Sequence, residues 1–109
     1  SAAARALVRE RGVAVECCPL SNERMGFMPL TRHPVRQFLD EGLSVSVSTD
    51  DPLMFGPFTV AGTLAVVAAP LGLTEDDCRA LARNGIEAAF VSEERRAWLR
   101  NALAATSAS

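Results

Sequence analysis

Basic residues are in no surplus: eleven Lys and Arg stand against thirteen Asp and Glu, a net charge of −2. A nucleic-acid binder needs a basic footprint to neutralise phosphates, so that class is set aside. Long apolar runs are also missing. The longest, Val60 to Ala69, falls well short of the roughly 20 residues a membrane helix requires, so no membrane role is expected. Three cysteines, Cys17, Cys18 and Cys78, are odd in number and lack Cys-x-x-Cys spacing, which argues against a disulfide framework and for a reducing cytoplasm. The opening Ser1-Ala-Ala-Ala-Arg5 has neither an initiator methionine nor a signal-peptide layout, as expected of a processed or truncated product. What is present is globular in composition, with 49% apolar and 22% charged residues. A length of 109 residues suffices for one small domain but is short for a complete catalytic α/β fold.

Hydrophobic periodicity divides the chain into alternating helices and strands. Ala2 to Arg11 has helical spacing and stops at Gly12, a natural residue just past a helix end. Val13 to Cys18 is predicted as a strand with Val13, Val15 and Cys17 on one face and Ala14, Glu16 and Cys18 on the other. Pro19 to Arg32, interrupted by Pro19, Asn22, Gly26 and Pro29, is expected to be a long functional loop. Pro34 suits the first position of a helix ending at Gly42, and Leu43 to Ser48 is the second strand. Phe58 to Ala69 is predicted as a helix apolar over most of its circumference, and Pro70-Leu-Gly72 breaks it. Thr74-x-x-Asp77 is an Asp-bearing capping box, and Ser92 caps a last helix from Glu93 to Ala104. Strand, helix, strand is the unit of a parallel sheet. Two parallel strands cannot cover both faces and both edges of a sheet, so residues 1–109 are expected to form a partial domain.

The second strand carries the most informative residues. Leu43, Val45 and Val47 face one way; Ser44, Ser46, Ser48 and, if the strand continues, Asp50 face the other. Parity then places Asp50 on the small, polar face at the C-terminal end of its strand, where β/α barrels gather their active sites. Two adjacent carboxylates, Asp50 and Asp51, repel unless a cation or a hydrogen-bond donor separates their roles. The competing reading is that Thr49-Asp-Asp-Pro52 is an ordinary turn.

Four segments, taken together and in order, resemble the adenosine deaminase and AMP deaminase family of metal-dependent amidohydrolases. They are Val15-Glu-Cys-Cys-Pro-Leu-Ser-Asn22, His33-Pro-Val35, Leu43 through Gly56 with its Ser48-Thr-Asp-Asp-Pro52 core, and Leu81-Ala-Arg-Asn-Gly-Ile-Glu-Ala-Ala-Phe90. The resemblance implies an α/β fold, the last two strands and closing helices of a (β/α)8 TIM barrel. It implies that Asp50 ligates a catalytic zinc ion (Zn2+) and that Asp51 hydrogen-bonds the purine, in a hydrolytic deamination. The family's paired His-x-His, its third ligand histidine and its proton-donating Glu have no counterpart here. The missing N-terminal part of the barrel is therefore an expected partner, and the chain alone is expected to be inactive. The substrate expected is a purine nucleoside or base. Gly56 favours adenosine or adenine over AMP, Ser48-Thr49 and Pro19 to Asn22 read more like AMP deaminases, and adenosine is the first choice.

Other residues carry two readings each. Ser21 and Asn22 either reach the mouth of the site or only form a turn. Glu16 is either near the site or in a structural ion pair. His33, just before Pro34, is expected to cap a helix rather than bind metal. Cys17 and Cys18 point to opposite faces and cannot chelate together, and Trp98 is expected to anchor the last helix. A small independent binding module and a non-catalytic scaffold relative remain alternatives to the enzyme.

Overall fold

The structure is a computed structural model of the chain and describes residues 1–51, 54 and 59–106. Strand β1, Ala14–Cys17, pairs in parallel with β2, Ser44–Val47, in the register Ala14 to Ser44 through Cys17 to Val47. Helix α1, Ala2–Glu10, precedes β1 and turns into it at Gly12, whose φ of +63° suits a residue without a Cβ. Helix α2, Pro19–Arg24, a 3-10 turn at Leu30–Arg32 and helix α3, Val35–Asp40, connect the strands. Helices α4, Val60–Leu71, α5, Glu75–Ala88, and α6, Glu93–Thr106, follow β2.

Period-2 alternation explains the core. Cys17, Val45 and Val47 are buried on one face of the strand pair and pack with Leu20, Val35, Val67 and Leu81 from the helices. Val35 and Val45 are wholly buried, each contributing roughly 1.5–3 kcal/mol by removal from water. The opposite face, with Ala14, Glu16, Ser46 and Ser48, lines a concavity of about 1120 Å3 together with Phe90 and with Gly85, which sits close against Ser46. Asn84 on α5 donates from Nδ2 to the Val45 carbonyl at 2.9 Å, covering a polar group on the outer edge of β2. No helix among the described residues is long and apolar enough to cross a membrane.

Several expectations change. Pro19 to Arg32 is not a loop throughout, because Pro19 occupies the first turn of α2, where its missing N–H costs nothing, and Leu20 and Ser21 are buried. Pro34 stands just before α3, at its cap position but with no cap hydrogen bond of its own, instead of opening the helix. Helix α4 runs through Pro70 to Leu71 and ends at Gly72 in the left-handed conformation, two residues beyond the predicted break. Its burial is one-sided: Thr63, Val67 and Leu71 are buried, whereas Val60 and Val66 are exposed. The Phe58 start of that helix lies outside the described residues. Val13 precedes β1 and is exposed, its N–H bonded to the Val8 carbonyl. Trp98 is no anchor; it is 56% exposed, with the Arg95 guanidinium 4.2 Å above its ring.

Candidate functional site

The end of β2 is built by the ladder and then broken by one residue. Ser48 N–H donates to the Cys17 carbonyl at 2.8 Å, extending the pairing one step past the strand. Asp50 then adopts φ +63°, the only positive φ at a non-glycine position among the described residues. Asp tolerates this region better than most residues, but it ends the extended backbone. Strand parity therefore does not set the direction of Asp50, contrary to the alternation argument. What fixes its side chain is Ser21, whose hydroxyl donates to Asp50 Oδ2 at 2.7 Å.

Ser21 is itself held. It sits on α2 with 4% exposure, and the flanking residues tie the helix down. Asn22 Oδ1 accepts from His33 Nε2 at 2.9 Å, and the Glu23 carboxylate accepts from the Leu30 N–H at 2.9 Å. His33 Nδ1 accepts from the Val35 N–H at 3.2 Å, so this histidine caps α3 as expected. Asn22 is thus occupied in shaping the segment after β1, the turn-forming reading of that residue. Ser21, by contrast, turns its hydroxyl to Asp50.

Asp51 is exposed, and its carbonyl accepts from the Met54 N–H at 3.1 Å. Glu16 is exposed and lines the concavity beside Ser46 and Ser48, with no ion pair among the described residues. Cys18 links the two acidic positions electrostatically: burial first, then the Asp50 and Glu16 carboxylates, push its thiol up. Burial, then Cys18, pushes Cys17 up to about 11. Both therefore stay protonated at neutral pH. Gly56, the basis for preferring adenosine or adenine over AMP, lies outside the described residues, as does Pro52.

Among the described residues no group of three or more His, Cys, Asp or Glu could hold a metal ion. The one histidine is occupied with Asn22 and Val35. A catalytic zinc takes about three protein ligands, so a carboxylate such as that of Asp50 has the chemistry for one position, and the described residues do not complete the set. Sequence reading missed the left-handed turn at Asp50 and the Asn84 bond to β2. A Ser four residues after the end of β1 and an Asp before Asp-Pro were the local signals.

The adenosine deaminase family model matches residues 3–106. An adenine deaminase of Rhodopseudomonas palustris is 44% identical over 94 residues, covering 83% of this chain and 27% of that protein. An adenine deaminase of Ralstonia pickettii is 42% identical over 101 residues, covering 91% of this chain and 29% of that protein. The crystal structure of an adenine deaminase from Arthrobacter aurescens superposes with a TM-score of 0.92 at 27% identity, covering all of this chain and 33% of that one. The chain thus spans about 27% to 33% of the length of these relatives. With its model matched over nearly every residue, the chain belongs to the adenosine deaminase family.

Proposed function

We propose that this chain forms one wall of a purine deaminase site, in a full-length protein whose (β/α)8 barrel supplies the other walls. The reaction is hydrolytic: water adds to the carbon bearing the exocyclic amine, the carbon–nitrogen bond breaks and ammonia leaves. The observation that carries this reading is the Ser21-held Asp50 beside Asp51 at the end of β2, in a chain of this family. We assign Asp50 as one ligand of a zinc ion whose remaining ligands come from outside these 109 residues. When bound, zinc supplies a water of lowered pKa. Asp51 hydrogen-bonds the purine ring and orients it, and the concavity beside Glu16, Ser46 and Ser48 belongs to the barrel interior. The relatives' names favour adenine, the free base, over the adenosine that the sequence comparison preferred. The three free cysteines agree with a reducing, cytoplasmic setting.

The test uses the full-length protein. Asp50→Ala is expected to lose both bound zinc and turnover, and Asp51→Ala to keep zinc while losing most turnover, because the base is no longer positioned. Zinc content by mass spectrometry and ammonia release from adenine, adenosine and AMP read the outcome. Full zinc occupancy in Asp50→Ala refutes the ligand assignment; faster release from adenosine than from adenine refutes the substrate choice.

A further inference from the structure

We infer that Ser21 is the positioning residue of Asp50, setting the carboxylate's orientation for a cation through its hydroxyl; this rests on the ligand assignment above. Three observations converge on it. Asp50 alone among the described non-glycine residues has a positive φ, and such strained positions persist only where the surroundings hold them. The holding contact among the described residues is a short hydrogen bond, Ser21 Oγ to Asp50 Oδ2 at 2.7 Å, between a buried donor and an exposed acceptor. The donor is on a platform fixed at both sides, by Asn22 with His33 and by Glu23 with Leu30.

The physical consequence follows from valence. Ser21 has one hydroxyl proton, and the 2.7 Å bond spends it on Oδ2. That bond fixes the carboxylate plane, so Oδ1 is aimed in one direction before any cation arrives. An exposed aspartate without such a donor rotates freely and loses that orientation each time a metal binds. Partners that orient a metal ligand in this way are worth roughly 10- to 100-fold in metal affinity. The same bond keeps the left-handed backbone at Asp50 from relaxing toward an extended one, which would swing the side chain away from α2.

The experiment compares wild type, Ser21→Ala and Ser21→Thr in the full-length protein, with zinc affinity measured by chelator competition and thermal unfolding followed in parallel. Ser21→Ala is expected to bind zinc at least roughly tenfold more weakly. Its kcat/KM should fall at limiting zinc and recover substantially when zinc is saturating. Ser21→Thr, which keeps the hydroxyl, is expected to stay within a few-fold of wild type in affinity. Unchanged affinity in Ser21→Ala, with or without a lower Tm, overturns the inference while leaving the ligand assignment intact. A wild-type protein that takes up no zinc overturns the ligand assignment and this inference with it.

Discussion

His33 carries two hydrogen bonds that only one protonation state can make. Nδ1 accepts from the Val35 N–H at 3.2 Å, which requires an unprotonated Nδ1, and Nε2 faces Asn22 Oδ1 at 2.9 Å. The ring is therefore neutral, with its proton on Nε2 by assignment from its partners. Burial lowers its pKa below the ordinary 6.5. In the unfolded chain the ring takes up a proton near 6.5; in the folded protein it resists until lower pH. Stability from this group is thus complete above about 6.5 and is lost as pH falls through the depressed folded value. The urea midpoint of wild type is expected to drop between pH 7.5 and 5, and that of His33→Gln, starting lower, to vary less across the same range. Parallel slopes would show that His33 is not the titrating group. The capping role of His33 was legible because His-Pro at a helix start has a local physical meaning. The contact between Ser21 and Asp50 was not, because it joins residues 29 apart through a backbone angle that alternation cannot register.

Helix α5 holds the strand pair from outside, through Asn84 on the Val45 carbonyl, and its own N-terminus is held in turn. Thr74 Oγ1 accepts from the Asp77 N–H at 3.1 Å, and Asp77 Oδ2 accepts from the Thr74 N–H at 2.9 Å, a complete capping box. Arg36 on α3 also reaches Asp77, pairs with Asp40 and donates to the Gly72 carbonyl at 3.3 Å. The Arg36 hydrogen bond is the first cause of a depressed Asp77 pKa of about 2, followed by the bonds from Thr74. The carboxylate's contribution is complete above its ordinary 3.8 and disappears as pH falls through about 2. Thr74→Ala is expected to cost about 1 kcal/mol, the usual loss for a cap. Asp77→Ala should cost more, since it removes the reciprocal half of the box and the Arg36 tie together. Urea unfolding of both variants reads the difference; an Asp77→Ala loss no larger than that of Thr74→Ala would assign no stability to the Arg36 contact. The box was visible as Thr74-x-x-Asp77, a pattern of short range. Arg36 lies 41 residues from Asp77, and only the fold brings them together. Helix α2 was hidden for a different reason: Pro19 and Asn22 are breakers by composition, yet both sit where a short helix tolerates them.

At the scale of the whole molecule, the pairing of the two described strands was legible and has a specific consequence. The hydrogen-bonding directions of a parallel strand alternate, so with Ser48 N–H directed to Cys17, the Val47 N–H points away from β1. The Val45 carbonyl on that same outer edge is taken by Asn84. Beside this edge lies the concavity of about 1120 Å3, with the fully exposed Phe90 at its rim. An edge N–H directed away from β1 and a fully exposed aromatic are the two features that a further strand along β2 would pair and cover. The proposed barrel therefore makes a prediction at one amide. In the 109-residue chain expressed alone, the Val47 amide is expected to exchange with deuterium rapidly, faster than the Ser48 amide bonded to Cys17. In the full-length protein both should be protected, with the larger gain at Val47. The isolated chain is also expected to show no deamination and to bind an apolar dye, a signal that Phe90→Ser lowers. Equal protection of Val47 in the isolated and full-length proteins would mean that the edge is already satisfied within these residues. The barrel reading would then lose its structural support, even with the family assignment intact.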